Sequence, residues 1–583
     1  MPVAEAGSRD IILTGGTIVT MDSAQRVADT VGIRGPCIAA AGRLEDVRAA
    51  LPDGLVVDLK GRTVVPGLID AHAHLDSYWR NYPSLAECGS IDDIKDVVAE
   101  RVRCSSPGDF IVLRELARPE NLAPRNLREQ RFPNRHDLDL VAPSNPVWIR
   151  GSYVTPSIVN SRALELAGIT RDSPQPQRLT PVRDGRTHDL IPSTGGRIDT
   201  DPHTGEPTGL LYDFDTLLSR AATAPLGALL PEPSYEQRVQ NILAGLAEFN
   251  SLGITGAHEG HGVADPIETS TRAYLDVWSQ GKLTVRTHLV SNVYTDGEQD
   301  DIAARLDALA HTAHRGIGDD WLRLCGVSVT LDGPGGAADS VQLKLDSWPG
   351  PRDAIRDGVQ RVSAEKFRFL AELAAAHGIR LCTKAGGETM IDLVVEVYRD
   401  LAHRYDIPER RWVLIHSQFI QPRHMAELRD LNVVTTTCAN FLWNHGSVFR
   451  RAYGDYAAEH AVPFRSMIDH GMVVGNGSDT SPKSPFFSMW LMQTRTDGES
   501  GLRLGDSECI SRLEALRIYT TGGAQLLNME DRLGSLEAGK YADLVVLSDD
   551  YLTVPVSQVA QIRPVLTMTG GTVTFQAPEG PKL

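Results

Sequence analysis

The apolar run GLIDAHAHLD carries His72 and His74 two residues apart at its polar end. In a strand, residues i and i+2 point to one face, so both imidazoles are expected to project together. Other apolar runs end in similar chemistry: RWVLIHSQ brings His416, MVVGNGSD brings Asp479 and RLCTKAGG brings Lys384. GITGAHEG brings His258 and Glu259, and TVRTHLV brings His288. Each has an ordinary structural use: a lone histidine in a core, an aspartate capping a turn, a lysine reaching for water. Taken together, His72, His74, His416 and Asp479 offer imidazole nitrogens and one carboxylate. That donor set suits Zn²⁺ or a similar divalent ion.

Such residues need elements that end at one place. The two ends of the chain, with DIILTGGTIVTMD and TVGIRGPCIAAAG at one and YADLVVLSDD and PVLTMTGGTVTF at the other, alternate β-branched residues with glycine-bearing turns. They predict one small β-domain assembled from both termini. Between them helix and strand alternate with short loops. AEKFRFLAELAAAHG (364–378) reads as an amphipathic helix stopped by Gly378, and RWVLIHSQ (411–418) as a strand. This rhythm predicts parallel strands with crossover helices, and its length fits a (β/α)8 barrel better than an open sheet. Barrel chemistry sits at the C-terminal ends of strands, which is where these residues fall. Residues 171–208, rich in proline, glycine and polar side chains, read as a long inserted loop that either shapes a substrate entrance or lies passively on the surface.

Composition removes several function classes. A chain of 583 residues with 42% hydrophobic and 23% charged residues has the make-up of a globular protein larger than one simple domain. Its net charge of −17 argues against a nucleic-acid partner. No apolar run approaches the roughly 18 residues of a membrane span. The N-terminus lacks the basic and apolar regions of a signal peptide, and the 7 cysteines are scattered without a CxxC pair, so a cytoplasmic protein with reduced thiols is expected.

The motifs carry a family resemblance. VVPGLIDAHAHL (64–75) is similar to the first-strand motif of the amidohydrolase superfamily, and within it of amidohydrolase family 3. LVAPSNPVWIRG (140–151), VNSRALELAGIT (159–170), GEPTGLL (205–211) and LGITGAHE (252–259) resemble further blocks of that family, and GSLEAGKYADLVVL (534–547) resembles its closing strand pair. The resemblance implies an α/β fold: a distorted (β/α)8 TIM barrel over 66–529, and a small β-sandwich built from 1–65 and 530–583. It implies metal ligands at His72, His74, His416 and Asp479. Two positions depart from the family pattern. Ser328 in GVSVTLDG (326–333) stands where a bridging lysine is expected, and Lys384 in KAGGE (384–388) stands in place of a histidine, with Glu388 in place of an aspartate. Serine is a poor bridging anion, so one metal is expected rather than two: zinc, with manganese or iron as alternatives. Lys384 is left with three roles: a carboxylated ligand, a cation paired with Asp479, or a neutral buried amine.

The expected reaction is hydrolysis of a non-peptide C–N bond in a small amide, cyclic imide or N-substituted formamide. Asp479 would act as general base and then acid, with His416 or Lys384 at the oxyanion. Tyr78 and Trp79, with Trp443 and His258, are expected to contact an aromatic substrate, or else the aromatic residues pack their own loops. The alternative is a lyase, decarboxylase or hydratase that uses Lys384. A small molecule is the expected partner, and a homodimer the expected assembly.

Overall fold

The computed structural model describes residues 10–76, 82–85, 87–114, 127–150, 156–174, 196–213, 226, 229, 233–260, 267–293, 295, 297–311, 316–332, 362–479 and 483–583. Eight parallel strands make up the body of the nine-stranded central sheet: β1 (Leu68–Asp70), β2 (Ile254–Glu259), β3 (Arg286–Asn292), β4 (Leu322–Thr330), β5 (Leu381–Ala385), β6 (Val413–His416), β7 (Val434–Thr437) and β8 (Val474–Asn476); the short strand Ile317–Gly318 pairs antiparallel with β4. Each pairs in parallel with the next in chain order. The ring is drawn together where the Ala71 N–H donates to the Asn476 carbonyl at 3.0 Å and the Asp479 N–H to the His72 carbonyl at 2.9 Å. The strands are almost wholly buried, as expected of parallel strands covered on both faces.

The crossover helices follow from their patterns. Helix Ala364–Ala376 buries Phe367, Leu370, Ala371, Ala374 and Ala375, an apolar stripe at helical spacing. Ser363 caps it by accepting the Lys366 N–H, and Gly378, at φ +71°, lies just beyond its end. Among the described residues, no helix is long and apolar enough to cross a membrane.

The two ends of the chain share a second sheet. Strands Ile11–Val19, Val27–Arg34, Cys37–Gly42, Leu55–Asp58 and Thr63–Pro66 join Leu544–Leu547, Pro564–Thr569 and Thr572–Gln576. The seam is the antiparallel pairing of Thr63–Pro66 with Leu544–Leu547. Gly67 alone separates this seam from β1, so the terminal sheet and the barrel meet at the strand that precedes the histidine pair.

The segment between β1 and β2 differs from the sequence reading. It holds a sheet of five strands: Ile111–Arg114, Val147–Arg150, Ser157–Val159, Gly196–Thr200 and Pro207–Asp213. The last two are an antiparallel hairpin inside and just beyond the stretch read as the loop 171–208. Their polar residues belong to strands, while the glycine and proline of DPHTGEP form the turn, where Asp201 accepts the His203 and Thr204 N–H groups. Residues 175–195 lie outside the described residues.

Candidate metal centre

Strand β1 stops at Asp70, so His72 and His74 lie in the turn after it rather than on one strand face. They still reach one place, with ring centroids 5.5 Å apart. Backbone bonds fix that turn between β8 and β2: besides the contacts to Asn476 and Asp479, the Ala73 N–H donates to the His258 carbonyl at 2.9 Å. Asp70 is the clamp below. Its Oδ1 accepts the His72 N–H at 3.1 Å and the Ser478 N–H at 3.0 Å, holding both sides of the site at once. Burial pushes the Asp70 carboxyl above the usual range, against the bonds from Ser478 and His72 that favour the charged form.

His416 reaches the site by backbone strain. Leu414 packs outward among the helices and Ile415 packs into the barrel interior. Simple alternation would send His416 outward. Instead its φ is +77° and that of Ser417 is +48°, which turns the imidazole inward. Asp479, beyond the end of β8, also sits at φ +48°. Left-handed backbone costs about 1–2 kcal/mol per non-glycine residue, and strain of this kind gathers at functional sites.

The result is a tight buried cluster. His72 Nε2 and His416 Nε2 are 3.3 Å apart, and each lies 3.9 Å from an oxygen of Asp479. One ligand atom from each of these three residues falls within 4.8 Å of the others. His74 Nε2 stands 3.1 Å from Asp479 Oδ1. Asp479 Oδ2 is buried with no hydrogen-bond partner among the described residues. Lone pairs of two imidazoles and a carboxylate that converge out of water are the arrangement a divalent cation satisfies, so the residues present fit such an ion.

A family model described as the amidohydrolase family matches residues 55–575. The chain belongs to the amidohydrolase family. Among curated relatives, N-substituted formamide deformylase of Arthrobacter pascens is 27% identical over 97% of this chain and 98% of its own length. Protein LONG AFTER FAR-RED 3 of Arabidopsis thaliana is 26% identical over 92% of this chain and 87% of its own. A solved structure of a metal-dependent hydrolase from Pyrococcus furiosus superposes with a TM-score of 0.64 at 20% identity, covering 93% of this chain and 100% of that one, and shares the fold. This amidohydrolase is therefore an enzyme of the class that hydrolyses carbon–nitrogen bonds other than peptide bonds.

The two departures from the family pattern have definite places in this amidohydrolase. Ser328 points inward on β4, where its hydroxyl donates to the Gly260 carbonyl at 3.3 Å. On β5, Thr383 bonds outward to the Tyr398 hydroxyl at 2.7 Å, so its neighbours Cys382 and Lys384 face the interior. Lys384 is 1% exposed and lies near His258. Glu388, the first residue of helix Glu388–Ala402, is buried and paired with Arg423.

The residues expected against substrate fall in several places. Tyr78 and Trp79 lie outside the described residues. His258 is wholly buried with Nε2 3.9 Å from Cys382 Sγ. Burial, with Arg380 and Lys384 nearby, lowers its pKa to about 3, so it is neutral. Trp443 lies on helix Asn440–Tyr453 rather than in a loop and packs with Phe487 and Trp490 at ring-centroid distances of 5.2 Å and 5.9 Å. Phe441 is an aromatic residue beside the site, its ring centroid 5.6 Å from that of His416 in an edge-to-face arrangement, with the His445 ring 5.9 Å beyond. Sequence reasoning gave no role to Asp70, whose work is done through backbone N–H groups and leaves no spacing signal.

Proposed function

We propose that this amidohydrolase binds one divalent metal, zinc by its donor set, and hydrolyses a small amide, cyclic imide or N-substituted formamide. The observation that carries this reading is the convergence of His72, His416 and Asp479 within 4.8 Å, with His74 beside them. The near full-length similarity to a relative named for N-substituted formamide deformylation supports the bond class. Ser328, bonded to Gly260, provides no bridging anion, which favours a single ion.

His72, His74, His416 and Asp479 would hold the ion, which when bound would supply a nucleophilic water at neutral pH and polarise a carbonyl. The chain's own residues do the rest. Asp479 takes the proton from the attacking water and returns it to the leaving nitrogen as the C–N bond breaks. Lys384, facing the interior from β5, brings positive charge toward the developing oxyanion. Asp70 keeps the His72 and Ser478 backbones in place through both steps. Phe441 gives His416 an apolar, water-excluding neighbour and favours a substrate with an apolar face.

Elemental analysis tests this directly. The purified protein is expected to hold about one zinc per chain, and His72→Ala to lose it. Against a panel of small formamides, amides and cyclic imides, Asp479→Asn is expected to lower kcat by about 10²–10⁴. No metal in protein never exposed to chelator, or full activity in Asp479→Asn, would overturn the reading.

A further inference from the structure

Glu259 closes β2 and is 1% exposed, yet no step of the hydrolysis uses it. A buried carboxylate is costly unless it is bonded. Its Oε2 accepts the Leu75 N–H at 2.7 Å, so it grips the backbone immediately after His74. Its Oε1 lies 3.8 Å from His74 Nδ1. On the other side of the same ring, Nε2 is 3.1 Å from Asp479 Oδ1. The His74 imidazole is thus bracketed by two carboxylates, one on the metal side and one behind. The β2 end is itself tied to this turn by the bond from the Ala73 N–H to the His258 carbonyl.

We propose that Glu259 is a positioning residue for the metal centre, holding His74 by its turn and by its ring so that Nε2 is the nitrogen offered to the ion. The separation of 3.8 Å is an ion-pair distance rather than a hydrogen bond. The short bond to Leu75 therefore anchors the carboxylate, and its negative charge keeps the ring proton on Nδ1 while Nε2 binds. Carboxylates behind metal-binding histidines act in this way, fixing the tautomer and raising the basicity of the ligand nitrogen. The inference rests on the metal reading above.

Zinc affinity of the full-length protein, measured by competition with a chromogenic chelator, tests it. Glu259→Gln keeps an acceptor for the Leu75 N–H and removes the charge. It is expected to bind zinc about 10–100-fold more weakly at unchanged thermal stability. In a His74→Ala background the same change is expected to have no further effect, because its target is gone. A merely structural residue would weaken binding equally in both backgrounds. Should Glu259→Gln fail to fold, Glu259→Asp, which keeps the charge, is expected to bind zinc within about 10-fold of the parent; a larger loss would overturn the proposal. Parental affinity in Glu259→Gln, or an equal loss on top of His74→Ala, overturns it and leaves the metal reading standing. A parent protein that binds no zinc overturns both.

Discussion

Three histidines buried below and beside the candidate metal centre remain neutral. His258 is held at about 3 and His445 at about 4, chiefly by burial. His288 is pushed well below its usual value by burial and by the charges near it. A histidine that is neutral in the fold but takes a proton once the chain unfolds makes unfolding easier in acid. Its contribution is fully present above about pH 6.5 and is lost as the pH falls toward the folded value. Asp70 acts in the opposite sense, since its raised pKa lets the folded state take up a proton earlier than the unfolded chain. Neither ring nitrogen of His288 has a hydrogen-bond partner among the described residues. His288→Leu is therefore expected to be as stable as the parent at pH 7.5, or more so. It should lose about 1.4 kcal/mol less per pH unit between pH 6 and pH 5. Denaturant melts across that range check it, and an unchanged slope would mean that His288 is already protonated in the fold.

Elements with a strong period were legible from sequence. The helix read over 364–378 is Ala364–Ala376, and the strand read over 411–418 is Val413–His416. The residues that converge, His72, His416 and Asp479, were legible as candidates because each closes an apolar run, whereas Asp70 was not. What could not be read is the backbone that aims them: nothing in IHSQ or NGSD announces a left-handed φ at His416 or Asp479, since tertiary contacts impose it. The hairpin of Gly196–Thr200 and Pro207–Asp213 was missed because its polar residues resemble a loop when read without their partner strand. Gly477 shows the same limit. A Cβ there would lie 2.3 Å from His72 Cβ and 2.7 Å from His72 N, so the turn after β8 passes directly over the β1 turn. Gly477→Ala is expected to cost at least about 1–3 kcal/mol and, if the proposed zinc is bound, to weaken its binding together with stability, since both turns carry proposed ligands. Gly42→Ala, with nothing within 4 Å of its Cβ, should change neither. Normal zinc binding and stability in Gly477→Ala would show that the two turns separate without disturbing the site.

At the scale of the molecule, the barrel must be joined to the sheet made by the chain ends, because β1 and its histidines begin one residue beyond that sheet. One link is a buried ion pair. Arg286, the first residue of β3, meets Asp543, just before strand Leu544–Leu547, through Nε at 2.9 Å and Nη2 at 3.1 Å. The guanidinium lies over the rings of Tyr541 at 4.0 Å and Trp321 at 4.5 Å, and Asp543 also accepts the Gly570 N–H at 2.7 Å. Both partners are almost fully buried, so removing one leaves a charge without compensation. Arg286→Met is expected to cost about 3–5 kcal/mol in denaturant melts. Adding Asp543→Leu should recover part of that loss, since no lone charge remains, but not all, because the Gly570 N–H loses its acceptor. The link sits at the N-terminal end of β3 and the metal cluster at the opposite ends of the strands. Folded Arg286→Met is therefore expected to keep the metal proposed for the site. A variant that stays stable but loses metal would mean that the terminal sheet governs the geometry of the site itself, and that the ion pair belongs to the catalytic architecture rather than to the docking of two sheets.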